Sequence, residues 1–252
     1  MRHLWLMWQN NETRYKYHVG TLSYDREKYM FVYEKRKKFR GLEEATNEGF
    51  KTLLSFPDRD QKYFSEKLFP TFMKRMPNKQ RPDYQKLLSM YGLNNNASPM
   101  EILKVTKGKT ATDNLELISP LRVEGNTLNT DFFLEGIRYY DFPNFSNDDV
   151  EKLVSNRILK LEKDKDNIHD NNAIKVLTEN GAILGFVPAV YSRMLTKIID
   201  NDIIVKVSLK KVNRDSLPQM ALYTNIQAEI PTRFLNEYKN EFLVEKNLEV
   251  FS

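Results

Sequence analysis

The chain has 252 residues, 39 basic against 34 acidic, a formal net charge of +5, 40% hydrophobic residues and no cysteine. That hydrophobic content supports a buried core and argues against a charge-dominated disordered chain, and the missing thiol excludes disulfide staples, thiolate metal sites and cysteine nucleophiles. At ~100–200 residues per domain the length suits one large domain or two small ones. The apolar run within residues 1–11 is too short for a signal peptide, and no stretch approaches the ~18 apolar residues of a membrane span. The expectation is a soluble, cytoplasmic protein with no membrane partner.

Residues 4–33 read as short strands. Leu4, Leu6 and Trp8 alternate with their neighbours, and Tyr29, Phe31 and Tyr33 alternate again after a turn near Ser23-Tyr24-Asp25. Residues 61–76 carry Tyr63, Phe64, Leu68, Phe69, Phe72 and Met76 in a helical pattern interrupted at Pro70. A second helix opens at Arg81-Pro82-Asp83-Tyr84 and ends at Gly92. Ser98-Pro99-Met100-Glu101 has Ser at the N-cap, Pro at the first helical position and an acid in the first turn. A polar loop over residues 106–114 precedes a strand at residues 115–118, and Ser119-Pro120 with Gly125-Asn126 marks a domain boundary.

Strands dominate the second half. One leads from Phe132 and Leu134 through Arg138-Tyr139-Tyr140, and another starts at Leu159 and Leu161. Residues 173–177 and 182–187 flank Asn180-Gly181, the strongest hairpin signal in the chain. Pro188 opens a helix with Val190, Met194, Leu195 and Ile198 on one face. Strands over residues 203–212 and 220–226 follow, then an amphipathic helix over residues 232–247. The expected fold class is α+β: a mixed α/β module over residues 1–122, and a small β-barrel with a crossing helix over residues 123–252.

Charge is unevenly distributed. Residues 1–118 carry 22 basic and 14 acidic side chains, a net of +8, and the remainder is −3. The densest run comprises Lys35, Arg36, Lys37, Lys38 and Arg40. Such a run can follow phosphates, and it is equally what a solvated loop looks like. His3, His18 and His169 fit no metal spacing. Gly108-Lys109-Thr110 has Leu103 where a phosphate loop needs its first glycine, and no nucleophile elbow or carboxylate pair stands out. The expectation is a non-enzymatic protein without metal or cofactor.

Three blocks stand in order: Gly136-Ile137-Arg138-Tyr139-Tyr140, then Asn167-Ile168-His169-Asp170-Asn171-Asn172-Ala173-Ile174-Lys175-Val176, then Leu184-Gly185-Phe186-Val187-Pro188 after the Asn180-Gly181 turn. Together they resemble the HIRAN domain over about residues 128–215. The resemblance implies an OB- or SH3-like barrel that binds single-stranded DNA at its 3′ end. His169 stands where the family has an aromatic residue, Phe186 where it often has His, and Ala189 where some members have Lys.

The chemistry of these residues suits that ligand. Arg138 offers a guanidinium to a phosphate, and Tyr139 a ring on which a base stacks. Adjacent strand residues face opposite sides, so one of Tyr139 and Tyr140 packs inward, and Tyr139 is the expected outward one. His169 and Phe186 offer further stacking surface, and Asn167 can bond base and sugar. Asp170 would accept a hydrogen bond from a terminal 3′-hydroxyl and repel a 3′-phosphate. Asp170 with Asn171 and Asn172 is also what a tight turn requires.

Residues 1–120 resemble the N-terminal subdomain of HipA-type toxin kinases through Gly20-Thr21-Leu22, the strand at residues 29–33, Lys67-Leu68-Phe69-Pro70, and Tyr91-Gly92-Leu93 followed by Ser98-Pro99-Met100-Glu101-Ile102-Leu103. The kinase core is missing. The two resemblances imply a bacterial protein in which the second half binds single-stranded or 3′-ended DNA. The first half then supplies a protein-partner surface, for a HipA-type kinase or a DNA-processing complex, or an added DNA contact. In the alternative reading the chain is an antitoxin-like protein that docks on such a kinase.

Overall fold

A computed structural model describes residues 2–156, 158–168, 170–214, 216 and 218–245. The chain divides into two units, Met1–Pro120 and Leu121–Ser252. Among the described residues, no helix is long and apolar enough to cross a membrane.

In the first unit, alternation sets the sheet. Strands β1 (Arg2–Gln9), β2 (Lys16–Tyr24) and β3 (Tyr29–Tyr33) form an antiparallel meander. The short helix α1 (Leu42–Asn47) follows, then β4 (Tyr63–Ser65), α2 (Pro70–Met73), α3 (Tyr84–Met90), α4 (Pro99–Thr106) and β5 (Leu115–Ile118). The strand order is β4-β3-β2-β1-β5. Leu4, Leu6, Val19, Leu22, Phe31 and Leu117 share one core with Ala45, Phe72 and Leu103 from the helices. Phe31 lies 4.3 Å from the Phe56 ring and 5.6 Å from that of Phe72. A Cβ on Gly20 would fall 2.7 Å from the Phe31 ring, so only glycine lets β2 pass this cluster. Helix α4 begins at the expected cap: Ser98 accepts from the Glu101 N–H while the Glu101 carboxylate accepts from Ser98.

Residues 61–76 do not form the expected helix. Tyr63 and Phe64 pair with Phe31 and Met30 as edge strand β4, and helix starts only at Pro70, whose ring is compatible with a first turn and not with a helix interior.

The second unit begins with β6 (Arg122–Glu124) and β7 (Thr127–Phe133), so Gly125-Asn126 is the turn of a hairpin and not a domain boundary. Two 3-10 turns, Ile137–Tyr139 and Phe142–Asn144, lead to α5 (Asn147–Ser155). Then come β8 (Ile158–Lys163), β9 (Ile174–Leu177), β10 (Ile183–Phe186), α6 (Ala189–Asp200), β11 (Val205–Val212), β12 (Leu222–Glu229), α7 (Thr232–Glu237) and β13 (Leu243–Glu245). The sheet order is β10-β9-β8-β11-β12-β7-β6-β13. It curls into a half-barrel, with Tyr191 of α6 5.5 Å from Phe132 of β7 and Met194, Leu195 and Ile198 buried alongside. Just past β7, Glu135 and Phe186 exchange two backbone hydrogen bonds of 2.9 and 2.8 Å, tying the chain beyond β7 to β10. Gly185 makes this seam possible: its φ is +152°, and a Cβ there would meet the Glu135 carbonyl oxygen at 2.7 Å.

Two expectations in this unit are corrected. The strand expected through residues 138–140 ends before Gly136, which takes φ +74° and turns the chain into the first 3-10 turn. The helix expected over residues 232–247 stops at Glu237. Phe242 is fully buried, and Leu243–Glu245 pairs in parallel with β6, so its apolar spacing serves a strand and not a helix face. Residues 246 and 247 lie outside the described residues.

Two stability predictions follow from these contacts. Gly185→Ala is expected to destabilise the chain by ~1–3 kcal/mol, read as a fall in the urea midpoint at unchanged slope. Burial raises the Glu116 carboxyl, but Lys16 at 2.6 Å, Lys109 at 3.0 Å and Lys107 outweigh it and hold the group at about 2. A folded value below the unfolded one means that this stabilisation is present above pH ~4.5 and is lost as pH falls towards 2. In urea titrations Glu116→Gln should flatten the loss of stability between pH 4.5 and 2 by a few kcal/mol.

Candidate functional site

Gly136 sets the site by turning the chain at the seam. Arg138 and Tyr139 stand out on the 3-10 turn, Tyr139 at 69% exposure, with the guanidinium 4.5 Å from the ring centroid and Nη2 donating to the phenol oxygen. The expected exposure of Tyr139 therefore arises from a turn and not from strand alternation. Tyr140 is half-buried and its ring lies 5.4 Å from that of Phe186, tilted by 53°.

Phe186 pairs across the strands with Lys175 of β9. The Lys175 ammonium lies 2.9 Å from Oδ1 of Asp164, and this hydrogen-bonded pair raises the lysine pKa and lowers that of the aspartate. Asp164 Oδ2 in turn accepts from the Asn167 side-chain amide at 3.1 Å, and Asn167 Oδ1 accepts from the Asp170 N–H at 3.0 Å. Asp170 Oδ1 accepts from the Asn172 N–H at 2.9 Å, and the loop closes where the Asp164 N–H donates to the Ala173 carbonyl at 2.8 Å. Asp170 thus serves the turn with one oxygen, while Oδ2 takes no part in that bond. Ile168, at 89% exposure, projects from the loop, and His169 lies outside the described residues.

The structure therefore joins Asn167, Asp170 and Phe186 through Asp164 and Lys175, and it sets Arg138 and Tyr139 beside Tyr140 in the chain. The sequence does not assign Tyr140, Asp164 or Lys175 to the site; Tyr140 is there only the tyrosine expected to pack inward. Their signals were present: Asp164, Asn167 and Asp170 recur at every third position, the spacing of successive side-chain turns, and Lys175 sits between the buried Ile174 and Val176 and so faces outward. The basic run of the first unit is engaged in ion pairs, a cleft lining and a ring contact. Lys35 pairs with Asp60 and Arg36 with Glu34, Lys37 and Lys38 line a cleft, and Arg40 packs 3.7 Å over the Tyr15 ring.

The family model of the HIRAN domain matches residues 128–230, so the second unit carries a HIRAN domain. Among solved structures, the chain is similar to the HIRAN domain of human HLTF at 20% identity, over 48% of this chain and 93% of that one, with a TM-score of 0.36. It is also similar to a Lactobacillus plantarum protein at 18% identity, over 40% and 96% of the two chains, with a TM-score of 0.32. A third likeness is to the HLTF HIRAN domain in its DNA-bound conformation, at 20% identity, over 46% and 85%, with a TM-score of 0.30. No curated protein matches.

If the Asn167 carboxamide anchors the loop, Asn167→Ala should lower stability by ~1 kcal/mol and speed hydrogen exchange at the Asp170 amide. Measured exchange unchanged at that amide would show the loop to be held by other bonds.

Proposed function

We propose that the second unit binds single-stranded DNA at a free 3′ end, without catalysis. The observation that carries this reading is the side-chain relay from Asp170 through Asn167 and Asp164 to Lys175, the strand partner of Phe186, whose ring lies 5.4 Å from that of Tyr140. A nucleotide at a strand end presents a face to stack on, a phosphate to neutralise and a terminal hydroxyl to recognise. Tyr139 and the Tyr140–Phe186 pair supply the first, Arg138 the second and Asp170 the third. The HIRAN match over residues 128–230 supports the same ligand class. Lys175, tied to Asp164, adds a cation under the loop and offsets part of the acidic charge of this half.

The first unit is read as an accessory module resembling the HipA N-terminal subdomain, giving a surface for a protein partner or an added DNA contact. Its support is the sequence resemblance alone, carried by Gly20-Thr21-Leu22 and the other blocks over residues 1–120.

Fluorescence anisotropy with full-length protein and short single strands tests the end reading. Tyr139→Ala should weaken binding by ~1–3 kcal/mol with little change in melting temperature. A 3′-phosphate brings two like charges within a few Å of each other. A unit pair ~4 Å apart at an effective dielectric near 20 repels by ~4 kcal/mol before screening, so blocked ends should bind visibly worse. Asp170→Asn should erase most of that preference while keeping the turn. Equal affinity for 3′-hydroxyl, 3′-phosphate and circular strands would overturn end recognition.

A further inference from the structure

The first unit contains a cleft of about 870 Å³ between residues 34–41, helix α1 and the segment around Arg59. This is the size range of small-molecule sites, ~300–1,000 Å³. Its cations are Lys35, Arg36, Lys37, Lys38 and Arg59, and its acids are Glu34, Glu43, Glu44 and Asp60. The acids are largely committed. Glu34 holds the Arg36 guanidinium through both oxygens, Asp60 holds Lys35, and Glu44 accepts from the Arg40 backbone N–H at 3.0 Å.

Arg59 is arranged differently. Its Nε donates to Thr52 Oγ1 at 2.8 Å and its Nη1 to Thr46 Oγ1 at 2.9 Å, and the guanidinium lies 5.9 Å from the Phe50 ring. Hydroxyls and the ring beneath it orient this half-buried fork without neutralising it, and Nη2 serves neither threonine. A fixed, charged guanidinium with donors to spare matches a phosphate bidentately. Two further features extend the match. The Lys38 ammonium is pinned 4.3 Å over the Trp5 ring and 3.3 Å from Nδ1 of the buried His18. Phe39, at 41% exposure, lines the cleft with the Arg40 guanidinium 5.0 Å from its ring centroid, a cation–ring pair that a stacked base would join.

We propose that this cleft is a nucleotide-binding site, separate from the HIRAN domain, in which Arg59 anchors a phosphate and Phe39 stacks the base. The nucleotide is either a free nucleoside phosphate or one unit of a strand. The site stands on the first unit alone and does not depend on 3′-end recognition.

Calorimetric titration of the full chain decides it with two probes that have no free 3′-hydroxyl: adenosine 3′,5′-bisphosphate and a twelve-residue oligothymidylate carrying a 3′-phosphate. The expected result is saturable binding that falls about tenfold or more in Arg59→Gln, the loss of a charge-assisted bidentate contact. Binding should be unmoved by Lys74→Gln, which removes the same charge from an exposed position outside the cleft. Response to the bisphosphate alone would assign a free nucleotide, and tighter binding of the oligonucleotide a strand. Arg59→Lys keeps the charge without the fork and should lose several-fold, which serves if Arg59→Gln melts early. No saturable binding of either probe would overturn the proposal. So would equal losses in Arg59→Gln and Lys74→Gln, unchanged affinity in Arg59→Lys, or citrate binding as tightly as the bisphosphate.

Discussion

The seam between Glu135 and Phe186 is the constraint on which the second unit depends. Two backbone hydrogen bonds join the chain leaving β7 to the last residue of β10, and they form only because Gly185 carries no Cβ to strike the Glu135 carbonyl. One partner of the seam immediately precedes Gly136, and with it Arg138, Tyr139 and Tyr140. The other is Phe186 itself, which positions Lys175 on the neighbouring strand. The aromatic pair and the side-chain relay therefore meet as a result of strand closure. An opened seam would separate them without a change in any of their side chains.

Much of this fold is legible in the chain because local chemistry and tertiary packing agree. The α4 cap, the Asn180-Gly181 turn with its Thr178–Ala182 bond, and the apolar face of α6 each follow from a few adjacent residues. Legibility fails where a pattern fits two structures. The aromatic spacing of residues 61–76 suits a helix, yet the edge of β3 captures Tyr63 and Phe64. Arg138-Tyr139-Tyr140 has the composition of a strand, but Gly136 adopts a left-handed conformation that no composition rule announces. For that reason alternation picked the outward tyrosine by an argument that does not apply there, and it hid Tyr140, which contributes a half-buried ring. Asn167 and Asp170 were legible because their side chains bond their own loop. Lys175 was not, since its importance comes from Asp164, eleven positions earlier and brought near only by the β8–β9 pairing.

The charge of the first unit carries a related lesson. A net of +8 suggests a basic coat, but several of the cations are spent internally. Lys16 and Lys109 meet Glu116, Arg36 meets Glu34, and Arg75 is bound by Asp113 and the Gly108 carbonyl. Burial and the nearby Lys38 and Arg36 hold His18 well below its usual range, so the imidazole is neutral, with Nε2 facing the Gly20 carbonyl at 2.9 Å. Net charge describes the long-range field of such a unit, whereas selectivity belongs to the few cations left oriented and uncompensated.

The loop over residues 164–173 keeps its shape through side chains that cap its own backbone, with Asp164, Asn167 and Asp170 each closing part of it. Where such side-chain bonds hold a backbone in place before association, less conformational entropy is lost on binding. Substitutions within it would consequently act on how long a complex lives more than on how fast it forms, and the natural assay for variation in this loop is the residence time.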